Sequence, residues 1–289
     1  MKKNKVIAIV GPTASGKTSY SIELAKKING EIVSADSRLV YKGLDIGTAK
    51  PTKKEMSKIN HYMIDIVEPN VDYSAGLYVS QAKECIYDIL SRGKTPIVVG
   101  GTGLYFRLLL EDYDMPPVEP NKELRSELNL KTYDELCQIM SKMDAKALKS
   151  VENNDKKKLI RYIEIVSQTG LSLEKSRGKK DREFDVEWLG LNYPRSELYE
   201  RINKRVDLMV EQGLLAETKN LLKKYGRIQN IIDTIGYREM IMVLDNVLSM
   251  NDAVDKLKQN SRNYAKRQLT WFRKNDLIKW NYYPDKLER

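Results

Sequence analysis

Gly11-Pro12-Thr13-Ala14-Ser15-Gly16-Lys17-Thr18 satisfies the pattern G-x-x-x-x-G-K-[ST] in full. It follows the apolar run Val6–Val10 and precedes a helix-forming segment, the context in which that pattern cradles phosphate. The glycines let the backbone wrap an anion with successive N–H groups turned inward, and the helix N-terminus adds its positive dipole end. Lys17 supplies a mobile cation to a bridging or terminal phosphate, and Thr18 offers a hydroxyl to Mg²⁺. A bound di- or triphosphate is expected; the plainer alternative is a chance glycine-rich turn.

A motor ATPase also needs an acid at the end of a second buried strand, to hold Mg²⁺. Here the apolar run Pro96–Val99 leads into Gly100-Gly101-Thr102 instead. The acid stands at the end of another run, Glu31–Ala35, as Asp36 in Ala35-Asp36-Ser37-Arg38. In a parallel sheet both strand ends open onto the ligand crevice, so Asp36 and Thr102 are expected to face the phosphate loop. The competing readings are a solvated helix cap for Asp36 and an ordinary turn residue for Thr102.

Two further sets of cations suit phosphate. Arg201 and Arg205 stand one helical turn apart, as a clamp or, equally, as salt-bridge partners of Glu197 or Glu200. Lys256–Lys274 contains no acid, and Val254, Leu257, Ser261, Tyr264, Ala265, Gln268 and Trp271 recur at helical spacing as a buried stripe. Arg262, Lys266, Arg267, Arg273 and Lys274 fall largely outside it, a face for phosphates or simply for solvent.

The elements that must hold these residues are legible. Strands at Val6–Val10, Glu31–Ala35, Pro96–Val99 and Trp188–Leu191 alternate with helices at Ser19–Lys27 and from Ser74 to about Leu90. That alternation calls for a parallel α/β sheet. The Pro-rich stretch Met115–Pro120 marks an edge, after which only helical signals appear until the chain returns to the sheet at Trp188. Thr132 and Glu135 have capping-box spacing. Asp155 caps a helix to Gln168 that turns Leu159, Ile163 and Val166 inward, with Gly170 past its end and a loop expected at Ser176–Arg182. The expected organisation is a core of residues 1–117 and 185–289 with a helical insertion at 118–184. The stretch Glu197–Lys274 reads as helical, broken at Gly213, Gly226 and Gly236.

Composition narrows the chemistry. The chain has 289 residues, 41% hydrophobic and 31% charged, a globular balance able to bury a core without disulfides. Its net charge is +10, and residues 186–289 hold 19 basic against 14 acidic side chains, which suits a polyanionic partner. Two cysteines make no disulfide framework, and a single histidine, His61, excludes multi-histidine metal sites. The N-terminal apolar run is too short for a signal peptide, and no run approaches a membrane span. A cytoplasmic monomer with no membrane partner is expected.

The phosphate loop, followed by Asp36-Ser37-Arg38-Leu39-Val40-Tyr41-Lys42-Gly43-Leu44-Asp45-Ile46-Gly47-Thr48-Ala49-Lys50-Pro51, resembles the tRNA dimethylallyltransferases, also called tRNA isopentenyltransferases. The likeness extends through His61–Asp65, Tyr73-Ser74-Ala75, Gly100–Tyr105, Ile235–Glu239 and Lys266–Arg273, nearly the whole chain. Its most specific motif is Asp45–Pro51, which phosphate-loop kinases lack. The resemblance implies a P-loop NTPase-like core with an inserted all-helical domain. It also implies transfer of a dimethylallyl group from its diphosphate to N6 of the adenosine immediately 3′ of the anticodon. Asp36 would be the general base, with Thr102 beside it at the mouth of the channel where substrate and base meet. The loop Gly11–Thr18 (Gly11, Pro12, Thr13, Ala14, Ser15, Gly16, Lys17, Thr18) and Arg205 would hold diphosphate, with Mg²⁺ on Thr18. The anticodon stem-loop would meet Asp36, Ser37, Arg38, Leu39, Thr102, Arg125, Lys157, Lys158, Arg161, Gly236, Tyr237 and Arg238. Many relatives carry glutamine in place of Leu39 and arginine in place of Lys158, so this chain loses one hydrogen-bonding side chain and one planar fork. Two other readings are an ATP-dependent small-molecule kinase and a non-catalytic, nucleotide-switched RNA-binding protein.

Overall fold

Three apolar runs that stop at Gly11, Asp36 and Gly101 are neighbouring strands of one parallel sheet. The computed structural model describes residues 3–111, 116, 118–149, 151, 155–176 and 181–282. Strands β1 (Asn4–Val10), β2 (Gly30–Ala35), β3 (His61–Tyr62), β4 (Thr95–Gly100), β5 (Phe184–Asn192) and β6 (Lys279–Tyr282) lie in the order β3-β2-β4-β1-β5-β6. All pairings are parallel. Val10 pairs with Gly100 and Gly100 with Ala35, so β1, β4 and β2 finish level, while β5 pairs Gly190 with Val10 and runs on to Asn192. The loops that follow them therefore open at one edge of the sheet.

The central strands read as unbroken apolar runs because both faces are covered. Val6, Ala8, Val10, Val33, Ala35 and Val98 face α3 (Ala75–Ser91) and α4 (Gly103–Leu110). Ile7, Ile9, Ile32, Ile97 and Val99 face α1 (Lys17–Ile28) through Ile22 and Ala25. Ser74 caps α3 by accepting the Leu77 N–H at 3.1 Å. At the sheet's opposite edge, Glu31 is 2% exposed and is held by Arg92, Lys94, Tyr62 and Asn60. The Arg92 hydrogen bonds outweigh the cost of desolvation and keep that carboxyl far below its ordinary range.

The chain forms two compact units, Met1–Leu110 with Glu183–Arg289, and Glu111–Arg182. In the first, the short helix α2 (Lys53–Met56) lies between β2 and β3, and five more helices follow β5: α9 (Arg195–Glu211), α10 (Leu214–Tyr225), α11 (Gln229–Ile232), α12 (Tyr237–Leu244) and α13 (Met250–Phe272). The expected breaks sit at their ends. Gly213 and Gly236 precede α10 and α12 with φ of 97° and 102°, and Gly226 ends α10 with φ of 71°. These helices share a core of Val40, Leu44, Val206, Leu214, Tyr237 and Leu257.

The second unit contains α5 (Lys122–Leu130), α6 (Tyr133–Leu148), α7 (Lys156–Thr169) and α8 (Leu173–Ser176) around Leu136, Met140, Leu159 and Ile163. Its expected caps are present. Thr132 and Glu135 form the capping box, Asp155 accepts the Lys158 N–H, and Gly170 ends α7 in the left-handed region. Ser176 belongs to a helical turn instead of the expected loop, which otherwise falls largely outside the described residues.

Three features differ from the sequence reading. Strands β3 and β6 carry too few residues for a periodic signal, two and four. In α13 the residue turned inward is Phe272, 3% exposed, whereas Trp271 is 39% exposed. The rest of the stripe holds at Leu257, Ala265 and Gln268, and the Trp271 indole lies over Gly103, where a β-carbon would come within 2.1 Å of it. Among the described residues no helix is long and apolar enough to cross a membrane, and both cysteines are free thiols.

Candidate active site

The phosphate loop connects β1 to α1, and its shape follows from residues that tolerate unusual backbone. Gly11 has φ of 153°, and a β-carbon there would lie 2.3 Å from the Leu191 carbonyl. Ala14 and Gly16 take φ of 62° and 82°. No side chain caps α1, so its first N–H groups are left for an anion. Ser15 is fully buried, and its Oγ has no hydrogen-bond partner.

Lys17 folds back over this loop, donating to the carbonyls of Gly11 at 2.9 Å and Pro12 at 2.6 Å. Burial, and then the neighbouring Arg205 guanidinium, lower its pKa to about 7, while Asp36 acts in the opposite sense. Arg205 donates to Thr13 Oγ1 at 3.2 Å and reaches the Ala49 carbonyl at 3.5 Å. Burial depresses its pKa too, against the pull of Asp36. Arg201 donates to the Ala14 carbonyl at 3.0 Å and lies 4.1 Å over the Tyr193 ring. Both arginines of the clamp thus turn toward the phosphate loop.

Asp36 and Thr102 leave the ends of the paired strands β2 and β4. Thr102 N–H donates to the Ala35 carbonyl at 3.1 Å, and Thr102 Oγ1 accepts the Ser37 N–H at 3.0 Å. Asp36 Oδ1 accepts the Arg38 N–H at 2.8 Å. The strands approach closely because Gly100 has no side chain; a β-carbon would stand 2.1 Å from the Ala35 carbonyl oxygen. Thr13–Thr18, Asp36–Leu39, Arg205 and Arg238 line one cavity of about 1050 Å³. Gly100 and Gly101 lie in its wall, and Thr102, the next residue, is bonded to the lining residue Ser37.

The Asp45–Pro51 motif borders the same cavity and is tied down from two directions. Glu217 on α10 accepts the N–H groups of Ile46 at 2.9 Å and Gly47 at 3.1 Å, and the Tyr237 hydroxyl at 2.6 Å. Lys50, whose side chain is only 4% exposed, bonds Asp45 at 2.6 Å, the Tyr41 carbonyl at 2.9 Å and Asp65. Gly47 is required: a β-carbon would come within 2.6 Å of the Tyr237 ring.

The remaining candidates separate into distinct groups. Tyr237 is fully buried, with its ring against Gly47. Gly236 opens α12 and lies against Gly47, and Arg238, 44% exposed, pairs with Glu239 at 3.1 Å. In the helical unit, Arg125 and Arg161 both bond Glu164, which is fully buried and also accepts the Asn121 N–H at 2.7 Å. Desolvation opposes ionisation of Glu164, but the bonds from Arg125 and Arg161 prevail and its pKa is lowered. These arginines brace the unit's core, although each keeps part of its surface exposed. Lys157 is exposed and Lys158 lies 5.7 Å over the Tyr162 ring.

Two polar anchors escaped the sequence reading as site residues, Glu217 and Gln268. Gln268 on α13 accepts the Thr13 N–H at 2.8 Å and donates to the Gly101 carbonyl at 3.0 Å. The available signal was a glutamine inside a helical stripe expected to be buried, since a buried amide needs partners.

The IPP transferase family model matches residues 39–275. A curated tRNA dimethylallyltransferase of Macrococcus caseolyticus is 45% identical over 97% of this chain and 91% of its own length. One from Caldanaerobacter subterraneus is 43% identical over 97% and 92%. The crystal structure of a tRNA isopentenylpyrophosphate transferase from Bacillus halodurans superposes with a TM-score of 0.73 at 41% identity, covering 97% of this chain and 90% of that one. A eukaryotic dimethylallyltransferase acting on tRNA gives a TM-score of 0.85 at 30% identity, covering 96% and 74%.

Proposed function

Since the chain belongs to the tRNA dimethylallyltransferase (IPP transferase) family, we propose that it transfers a dimethylallyl group from dimethylallyl diphosphate to N6 of the adenosine immediately 3′ of the anticodon in tRNA. The observation that carries the reading is that Asp36 lines one cavity with the phosphate loop, while Thr102, at the adjacent strand end, accepts the N–H of the next residue, Ser37. A kinase reading has no comparable support, because the family and its structural relatives are prenyltransferases.

The diphosphate lies against the N–H groups of Ala14–Thr18, with Lys17 and Arg205 supplying positive charge. As the allylic C1–O bond breaks, charge builds on the leaving diphosphate, and preorganised donors stabilise it there. The adenine N6 forms the new bond to C1 and gives up one proton to the Asp36 carboxylate. Arg38 N–H fixes Oδ1 of that carboxylate, while Thr102 holds the Ser37 backbone beside it. The base reaches this cavity by leaving the anticodon-loop stack. RNA contacts are assigned to Asp36–Leu39, Thr102, Gly236 and Arg238, with Lys157 and Lys158 of the helical unit gripping the stem-loop; Arg125 and Arg161 shape the surface they share with Glu164.

The residues present fit Mg²⁺. Thr18, Ser34 and Asp36 line the cavity with hard oxygen donors, and the Ser34 Oγ is buried without a partner. No cluster of three His, Cys, Asp or Glu exists among the described residues, so the ion would be shared between Thr18 and the diphosphate. When bound, it would neutralise charge on the leaving group. We take the enzyme to act as a cytoplasmic monomer.

The test is mass spectrometry of nucleosides from unmodified tRNA incubated with the protein, Mg²⁺ and dimethylallyl diphosphate. One isopentenyl unit gained on adenosine is the expected result. No gain across several tRNAs with folded protein, together with RNA-independent ATP turnover, would transfer the assignment to a kinase.

A further inference from the structure

We propose that Gln268 is a positioning residue that sets the distance between the diphosphate donor and the Asp36–Thr102 pair. Its amide is the one side chain among the described residues seen bonding both the phosphate loop and the turn that carries Thr102. Oε1 accepts the Thr13 N–H, and Nε2 donates to the Gly101 carbonyl in a fully buried bond. Gln268 is 5% exposed. Gly101 makes room for it: a β-carbon there would stand 2.1 Å from Nε2.

Two consequences follow from this geometry. Thr13 N–H is occupied by Gln268, so the phosphate-binding donors are displaced toward Ala14–Thr18, the side of the loop where Lys17 and the uncapped start of α1 lie. Thr102 directly follows the bonded Gly101, so the loop and the base cannot drift apart without breaking a bond to the same amide. Donor carbon and acceptor nitrogen must meet within near-attack distance, and a misplacement of about 1 Å costs up to roughly a hundredfold in rate. A residue of matching volume without hydrogen bonds would fill the space and lose the alignment.

The inference rests on the prenyl-transfer reading, and the experiment separates the two. Wild type and Gln268→Met are compared by single-turnover transfer from saturating dimethylallyl diphosphate to saturating tRNA, by calorimetry with dimethylallyl diphosphate, and by thermal unfolding. The expected result is a rate reduced by roughly tenfold to a hundredfold, with diphosphate affinity within about threefold of wild type and folding retained. A Gln268→Met rate within twofold of wild type overturns the role, whatever happens to melting temperature. If that variant fails to fold, Gln268→Glu replaces it, keeping the volume and the acceptor for Thr13 while setting a carboxylate against the Gly101 carbonyl. Its rate at saturating donor should fall likewise, and a rate within twofold of wild type overturns the proposal. Absence of transfer by wild type, with diphosphate binding intact, condemns the prenyl-transfer reading instead.

Discussion

Asp36 carries the proposed proton transfer, and its setting favours that role over a solvated cap. Its Oδ1 is fixed by the Arg38 N–H, and the cations Lys17 and Arg205 both feel its charge. Asp36→Ala is expected to lower turnover by roughly two to four decades while leaving dimethylallyl diphosphate affinity unchanged; retained turnover would remove it as the base. Lys17 gives the site a pH dependence. Free, it titrates at about 7 because it is buried beside Arg205. A bound diphosphate favours the ammonium and raises that pKa, so binding above pH 7 takes up a proton. Affinity should therefore be flat below pH 7 on Lys17's account and weaken as pH rises past it, by at most about tenfold per unit. Calorimetry in two buffers of different protonation enthalpy reads the proton directly, and Lys17→Ala should abolish the uptake. Equal apparent enthalpies in the wild type would refute the linkage.

At the scale of elements, the motif that identifies the family most sharply works as scaffolding. Asp45 and Lys50 close the loop on itself and onto Asp65, Gly47 admits the Tyr237 ring, and Ala49 gives its carbonyl to Arg205. Glu217 anchors the whole by accepting three donors. Glu217→Ala should therefore destabilise the fold by about 1–3 kcal/mol, through stranded N–H groups. Glu217→Gln, which keeps one acceptor, should cost less. Urea unfolding measures both, and equal midpoints for wild type and the alanine variant would show that the loop needs no anchor. The level ends of β1, β2 and β4 matter in the same way. They bring Gly11, Asp36 and Gly101 to one edge, so chemistry from three distant parts of the chain converges without any long loop.

For the whole molecule, the net charge of +10 becomes a statement about RNA. Binding should weaken with salt, each neutralised phosphate of a single-stranded loop contributing about −0.7 to the slope of log K against log salt. Lys157→Ala is expected to flatten that slope by about one unit without changing which tRNAs bind. Filter binding over a salt series decides this, and an unchanged slope would exclude Lys157 from the interface. Of the two compact units, the sheet unit holds the phosphate-loop motif, and the helical unit contains a buried Glu164 bridged by Arg125 and Arg161.

The sequence alone determined whatever rests on local rules. The phosphate loop follows from glycines that permit positive φ, the central strands from apolar runs buried on both faces, and the helix ends from Ser74, Thr132, Asp155 and Gly170. Asp36 and Thr102 were legible as candidates because a parallel sheet sends strand ends to one edge. Only the tertiary structure decided what long-range contact decides. Strand β6 exists because β5 offers it an edge, and the Trp271 indole can lie over Gly103 because a glycine leaves room for it. Tyr237 is buried because Glu217 waits for its hydroxyl, 20 positions away in the chain. Gln268 meets Thr13 across 255 positions, and no pattern of spacing encodes a bond between groups that folding alone makes neighbours.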